Sequence, residues 1–124
     1  MIYTDEAQYI GAKDTIHVTL ENNSITDMSF LLRCNYWPEN VYYQIFKNGN
    51  WSQNISFSYM YLKCPSLPFT LYSFSNYDYT LITSEFDSPG TYRLVLDSNN
   101  AIKDTINNIY SNSFIITASQ FTEY

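Results

Sequence analysis

The sequence predicts an all-β fold, an antiparallel β-sandwich of seven to nine short strands. Aromatic residues make up 19% of the 124 residues, with 13 Tyr and 8 Phe, a bias typical of strands. Apolar and polar residues alternate in short runs that turn residues separate, which is the pattern of half-buried strands. No window of ten or more residues carries helical spacing of apolar residues. A chain of 124 residues is long enough for one sizeable core, so residues 1–124 are expected to form one domain.

The predicted strands follow one another along the chain. Residues 1–14 are polar and are expected to form an arm or an edge strand. The segments TIHVTLEN, MSFLLRCNY and VYYQIFK then alternate apolar and polar residues, with NNSITD and WPEN between them. Asn48-Gly49 follows, between two alternating runs. This dipeptide favours φ > 0 at both positions and predicts a two-residue hairpin turn.

The second half of the chain continues the alternation. NISFSYMYLKC predicts a long strand, and PSLP ends it. FTLYSF is then a short strand or a crossing loop, and YDYTLITSEF, GTYRLVLD and YSNSFIIT are further strands. On the long strand, Ile55, Phe57, Tyr59 and Tyr61 are expected to share one face, and the other face begins with serines and ends in Met60 and Leu62.

The segment SPGTYRLVLD predicts a sharp corner followed by a strand. Pro89-Gly90 is a turn signal, and Tyr92, Leu94 and Leu96 alternate after it. The segment resembles the tyrosine corner of immunoglobulin-like sandwiches, in which a tyrosine hydroxyl bonds to upstream backbone. We expect Tyr92 to be buried with that bond, and Gly90 to adopt, or come close to, a conformation with φ > 0. An ordinary turn followed by a core aromatic is the alternative.

Four segments in order extend this resemblance from about Thr15 to Thr117: IHVTLENNS, KNGNW, PGTYRLVLD and IYSNSFIIT. Together they resemble the bacterial immunoglobulin-like domains of secreted and lipoprotein-type envelope proteins. The resemblance implies an immunoglobulin-like β-sandwich in a secreted, periplasmic or cell-surface location, and it implies no reaction. One departure is that no cysteine pair links the two strands that antibody domains bridge.

Cys34 and Cys64 each follow an alternating segment and precede a proline-containing break, so both can lie at one end of the sandwich. A disulfide between them is the favoured interpretation, and it implies an oxidising compartment. Two separate buried thiols are the alternative. A zinc site is disfavoured, because it needs three or four ligands and His17, the single histidine, has no paired ligand at metal spacing. A Cys–His nucleophile is disfavoured, because His17 falls on the outward face of its strand and Cys34 falls inward.

Composition argues against several functions. The net charge is −6, and six scattered Lys and Arg residues do not suit nucleic acid. No apolar run approaches the ~20 residues of a membrane span.

Nothing places two of the carboxylates Asp78, Glu85 and Asp87 across a cleft, and no catalytic motif or cofactor fingerprint is present. The loop from Asp97 to Asp104 lacks the glycine and glutamate of a calcium loop. We therefore expect no enzyme, metal or cofactor.

The aromatic residues are the remaining candidates for binding. Trp37, Tyr42 and Trp51 are expected to lie outward near the hairpin, where flat rings anchor protein interfaces or stack on sugars. Filling of the core and its rim by tyrosine is the alternative. The sequence thus predicts a non-enzymatic structural or protein-interaction module whose partner is another envelope or secreted protein. A carbohydrate-binding module is the alternative, and a protease inhibitor on the same kind of sandwich is a weaker one.

Overall fold

The computed structural model of the protein describes residues 1–97 and 108–118. Within these residues it is an all-β sandwich, with helical structure confined to two 3₁₀ turns, Ser58–Tyr61 and Thr83–Glu85. The strands, in chain order, are β1 Ile2–Thr4, β2 Gln8–Ile10, β3 Thr15–Glu21, β4 Met28–Arg33, β5 Trp37–Pro38, β6 Val41–Lys47, β7 Asn50–Trp51, β8 Ser66–Leu71, β9 Asn76–Ile82, β10 Gly90–Asp97, β11 Asn108–Tyr110 and β12 Phe114–Thr117.

The strands form three sheets. The first has the order β1-β3-β9, and the third has the order β5-β4-β8. The second sheet has the order β2-β12-β10-β6-β7, and β11 also pairs with β10. The first fourteen residues supply an edge strand to two of these sheets, since β1 pairs with β3 and β2 pairs in parallel with β12. None of the helical turns in the described part of the chain is long and apolar enough to cross a membrane.

The first and third sheets are two halves of one antiparallel ribbon. Glu21 pairs with Asn76 in the first sheet, and Met28 pairs with Leu71 in the third. The buried Asn22 organises the interruption between them, because its side-chain amide donates to the carbonyl oxygens of Thr26 and Leu71, both at 2.9 Å. Removing this amide would leave backbone acceptors unpaired, so the break in the ribbon is a specified feature of the fold.

The core lies between the first and second sheets. Alternation along β3 buries Ile16, Val18 and Leu20, and each is completely inaccessible to solvent. Tyr92 and Leu94 of β10 are buried from the opposite side and belong to the same cluster. Burying each such aliphatic side chain contributes about 1.5–3 kcal/mol. The alternation along these strands therefore predicts the core correctly.

The hairpin at Asn48-Gly49 has the predicted geometry. Both residues have positive φ, 53° for Asn48 and 81° for Gly49, and Lys47 pairs directly with Asn50. A turn with φ > 0 at both central residues matches the twist of the strands that it joins. It fixes the register of β6 and β7, and so places Trp51 opposite Phe46.

The long strand predicted from NISFSYMYLKC is not formed. Ile55 makes one isolated bridge to Tyr43, and residues Ser58–Tyr61 form a 3₁₀ turn instead. Phe57 and Tyr59 are buried, but the turn rotates Tyr61 into solvent, where it is 81% exposed, so these residues do not share one face as predicted. The chain has twelve strands among the described residues, more than the expected number, because the N-terminal arm supplies two strands and short strands also form at Trp37–Pro38, Asn50–Trp51 and Asn108–Tyr110.

Candidate functional site

The outer face of the second sheet carries the candidate site. Strand alternation that buries Tyr43 and Leu94 turns Gln44 and Arg93 outward, and these two residues lie opposite each other in the pairing of β6 with β10. Trp51 reaches this face from β7, and Tyr110 reaches it from β11, where it pairs with Val95. Side chains from four strands therefore meet around Arg93.

The guanidinium of Arg93 lies over two aromatic rings. Its central carbon is 4.2 Å from the ring centre of Trp51 and 3.8 Å from that of Tyr110. Both distances are within the range of cation–π attraction, which contributes about 0.5–2 kcal/mol per pair. The Nε atom also donates a hydrogen bond to Oε1 of Gln44 at 2.8 Å. The arginine is thus held in one position by three neighbours.

A second layer of hydrogen bonds fixes Gln44. Its side-chain nitrogen donates to Oδ1 of Asn54 at 2.9 Å, and Gln44 itself is buried. Phe46 lies on the same face and packs against Trp51 with ring centres 5.1 Å apart. We call the outward side chains of Phe46, Trp51, Arg93 and Tyr110 the Arg93 platform.

The Arg93 platform continues into exposed apolar surface. Phe46 is 42% exposed and Tyr110 is 45% exposed. Across the sheet from Phe46, the pairing continues through Thr91 to Ile115, which is 45% exposed. Single exposed apolar residues are ordinary, but a contiguous group around a charged centre is typical of an interaction surface.

Few charges accompany Arg93 on this sheet. Its six strands carry three charged side chains, Lys47, Arg93 and Asp97, although the whole chain has a net charge of −6. In the described part of the chain, the one ion pair joins Arg33 to Glu39 in the third sheet, so Arg93 has no carboxylate partner there. By strand alternation Asp97 shares the outward face with Arg93 and Lys47 lies on the opposite face, so Arg93 is the one cationic side chain that the described strands carry on this face.

The predicted aromatic residues divide between surface and interior. Trp51 belongs to the Arg93 platform, and Tyr42 is partly exposed on the same face of β6. The prediction for Trp37 was wrong: its ring stacks on buried Tyr59 at 5.4 Å, and its Nε1 donates to the carbonyl oxygen of Thr80 at 3.2 Å. The predicted proline break forms the short strand β5, whose pairing with β4 places this ring against the core.

Sequence reasoning missed Arg93, Tyr110 and Phe46. The alternation in GTYRLVLD placed Arg93 on the outward face, and that in VYYQIFK did the same for Phe46, so a signal was present for both. No local pattern could have found Tyr110, because its place depends on the pairing of β11 with β10 across a long connection.

Cys34 and Cys64 lie at disulfide distance, with Cα atoms 5.0 Å apart. They close the end of the ribbon beyond the pairing of Arg33 with Ser66. Cys64 follows the 3₁₀ turn rather than a strand, so the pair forms although one of its predicted flanking strands is absent. The backbone N–H of Cys34 also donates to the carbonyl oxygen of Pro65 at 3.1 Å, which holds the two chain segments together.

The corner before β10 has one predicted feature and lacks another. Tyr92 is buried, and its hydroxyl donates to the carbonyl oxygen of Ser88 at 2.5 Å. The expectation of positive φ at Gly90 was wrong, because this residue already lies in extended strand, opposite Ile116. A Cβ at Gly90 would meet Cδ1 of Ile45 at 3.4 Å, so the position is close to its neighbours without requiring glycine geometry.

The described residues offer few other side-chain groups that could form a metal or catalytic site. No group of three or more His, Cys, Asp or Glu residues there is arranged to hold a metal ion, and His17 is exposed on β3. Glu85 accepts hydrogen bonds from the hydroxyl and N–H of Ser58 at 2.5 and 3.3 Å. The predicted loop from Asp97 to Asp104 lies outside the described residues beyond Asp97 itself.

An apolar cavity of about 250 Å³ lies at the end of the sandwich near the Tyr92 corner. Phe86, Pro89 and Thr83 contribute to its wall. The hydroxyl of Thr83 already donates to the carbonyl oxygen of Gly11 at 2.6 Å and accepts from the N–H of Asp14 at 3.1 Å. Its polar group is therefore committed to the fold rather than directed at a ligand.

Comparisons with known proteins add little to this description. No protein-family model and no curated protein matches the chain. Among solved structures, the chain is similar to an uncharacterized protein from Bacillus anthracis str. Ames, with 14% sequence identity and a TM-score of 0.44. The match covers 90% of this chain and 76% of that one. Similarity at this level carries no argument about function.

Proposed function

We propose that the protein is a non-enzymatic, immunoglobulin-like module of a secreted or cell-envelope assembly, and that it contacts a partner protein through the Arg93 platform. The observation that carries this proposal is the guanidinium of Arg93, which lies over the rings of Trp51 and Tyr110 at the centre of an exposed sheet face. Trp, Tyr and Arg are the residue types enriched at the energetic centres of protein interfaces.

Two features support the immunoglobulin-like assignment. The Tyr92 hydroxyl bonds to the backbone of Ser88, four residues upstream, as in the tyrosine corner of that fold. The first and second sheets also enclose a common core, which is the arrangement expected of a sandwich. An immunoglobulin-like fold implies a scaffold that binds its partners through an exposed surface rather than in a cleft.

The cysteine pair supports the extracytoplasmic setting. Cys34 and Cys64 lie at disulfide distance, and disulfides persist in oxidising compartments and are rare in reducing ones. The bridge closes a segment with a sequence separation of 30 residues. Closing a loop of this length restricts the unfolded chain, and the resulting stabilisation suits a small domain that must remain folded outside the cell.

The glycan alternative is less well supported by the same geometry. Carbohydrate-binding sites stack sugars on free aromatic faces, but Trp51 has the Arg93 guanidinium on its ring and Phe46 packed beside it. Trp37 stacks on Tyr59 inside the molecule. Of the three predicted aromatics, only Tyr42 has no described ring partner, and one ring is a small platform for a sugar chain.

Site-specific photo-crosslinking tests the proposal. A photoreactive benzoylphenylalanine replaces Tyr110 in one variant and Tyr72 in a matched control, which is exposed but lies outside the second sheet. Both variants are expressed in cells of the source organism and irradiated. We expect a discrete crosslinked protein from position 110 and none from position 72.

The identity of the product decides between the candidate functions. Mass spectrometry should identify an envelope or secreted protein in the crosslink from position 110. Equal crosslinking from both positions would contradict a specific interface on the second sheet. Binding on a glycan array that is lost when Tyr42 is replaced by alanine would instead support the carbohydrate-binding alternative.

A further inference from the structure

We infer that Arg93 is a preformed receptor for a carboxylate on an acidic segment of the partner protein. This inference rests on the proposed function, because it names the chemistry of the partner at the same site. It is carried by the arrangement of the guanidinium, by the hydrogen bonds behind it and by the exposed apolar residues around it.

The contacts of Arg93 leave one side of its guanidinium for a ligand. Two rings lie against it, Trp51 at 4.2 Å and Tyr110 at 3.8 Å, and its Nε donates to Gln44. Among the described residues, its two Nη groups make no hydrogen bond and meet no carboxylate. These groups present parallel N–H donors in the plane of the guanidinium, the geometry that a carboxylate accepts in bidentate form.

The hydrogen bonds behind the guanidinium reduce the entropic cost of binding. A free arginine side chain loses up to ~2 kcal/mol of conformational freedom when it is fixed. Here Gln44 anchors Arg93 at 2.8 Å and is itself anchored by Asn54 at 2.9 Å. Much of this ordering has occurred before a partner arrives, so more of the interaction energy is available for affinity.

The apolar surroundings of Arg93 also favour an acidic ligand. On its face of the sheet, Arg93 is the one cationic side chain that the described strands carry and Asp97 is the one anionic side chain, whereas strand alternation places Lys47 on the opposite face. Phe46 and Tyr110 are exposed apolar neighbours, and docking against them would exclude water from the Nη groups. Exclusion of water strengthens a charge-assisted hydrogen bond. The matching ligand is a Glu or Asp residue flanked by apolar residues.

Paired peptides test the inference directly. The oxidised full-length protein is applied to an array of short acidic peptides, and each glutamate-containing peptide is printed beside its glutamine counterpart. Dissociation constants of the strongest pairs are then measured in solution at low and high salt. We expect glutamate peptides to bind about tenfold more tightly than their counterparts, as charge-assisted hydrogen bonds do over neutral ones.

Two variants assign the effect to Arg93. Arg93→Gln should abolish the difference between the paired peptides, and its thermal midpoint and near-ultraviolet spectrum establish that it is folded. Arg93→Lys should recover only part of the difference, because lysine keeps the charge and loses the planar fork. Lys63→Gln makes the same change in net charge at an exposed position outside the sheet, and it should leave the difference intact.

The remaining outcomes overturn the inference in distinguishable ways. If the paired peptides bind equally and Tyr110→Ser abolishes their binding, the carboxylate receptor is wrong and the protein interface is supported. Failure of every acidic peptide, with Arg93-dependent binding of polygalacturonate, would assign the site to an acidic polysaccharide. Failure of all probes overturns the carboxylate receptor, and the crosslink from position 110 then decides the proposed function independently.

Discussion

Removing the hydroxyl from a buried tyrosine should lower the free energy of unfolding at two positions and raise it at a third. Tyr59, Tyr79 and Tyr92 are each at most 2% exposed. A Tyr→Phe substitution deletes one oxygen atom and keeps the packing of the ring. The three sites therefore differ in one respect, which is the hydrogen-bond partner of the deleted oxygen.

Two of these hydroxyls donate to backbone carbonyls. Tyr59 donates to the carbonyl oxygen of Pro38 at 2.6 Å, and Pro38 is buried, so Tyr59→Phe should strand an acceptor and cost about 1–3 kcal/mol. Tyr92 donates to the carbonyl oxygen of Ser88 at 2.5 Å. Ser88 is an exposed residue, and water can replace the phenol, so Tyr92→Phe should cost about 1 kcal/mol.

The hydroxyl of Tyr79 is different because it has no hydrogen-bond partner among the described residues. Burial raises the pKa of this phenol well above its ordinary value, which indicates how poorly its polar group is solvated. Deleting an unpaired buried hydroxyl removes a desolvation penalty. Tyr79→Phe should therefore stabilise the protein by about 1 kcal/mol.

Urea unfolding of the oxidised protein and the three variants measures these effects. With equal dependence of the unfolding free energy on urea, the midpoints should rank Tyr79→Phe above the parent, followed by Tyr92→Phe and then Tyr59→Phe. Loss of stability in Tyr79→Phe comparable to that in Tyr59→Phe would refute the reasoning, since it would show that hydrogen-bond partners do not govern the ranking.

Three further predictions concern pH, backbone geometry and the disulfide. The pKa of Tyr79 is raised on folding, so the unfolding free energy should fall as pH rises above about 10, where the unfolded tyrosine ionises first, and Tyr79→Phe should reduce that slope in urea titrations. Gly49→Ala should cost about 1 kcal/mol because its φ is +81°, whereas Gly90→Ala should change thermal stability by less than about 0.5 kcal/mol; equal losses would contradict the assigned turn. Replacing Cys34 and Cys64 by serine should cost about 3–4 kcal/mol for a separation of 30 residues, and thiol labelling of the urea-unfolded protein without reductant should modify neither cysteine, whereas two separate buried thiols would both be labelled.

Local patterns in the sequence predict much of the fold. Alternation identifies the inward residues Ile16 and Leu94, and Asn48-Gly49 identifies the hairpin, because each depends on neighbours a few residues away. Alternation fails at Tyr61, where a 3₁₀ turn replaces the strand. There the burial of Tyr59 and its hydrogen bond to Pro38 override the local preference.

The candidate site was less predictable because it depends on contacts between distant strands. Trp51 and Arg93 are 42 positions apart, and no periodicity within one strand reports that their side chains meet. Tyr110 joins them through a register set by the pairing of β11 with β10. Trp37 was expected to lie outward near the hairpin, but its ring stacks on Tyr59, a contact of tertiary packing that no local pattern reports.

The most direct test of the proposed binding face is a hydrogen-exchange footprint of the protein with the partner captured at position 110. Amide exchange is compared between the free protein and the complex by mass spectrometry. We predict slower amide exchange in β6, β7 and β10 around Phe46, Trp51 and Arg93, with no change in the amide exchange of β3 and β9. Protection confined to the first sheet, or spread evenly over both sheets, would contradict binding through the Arg93 platform.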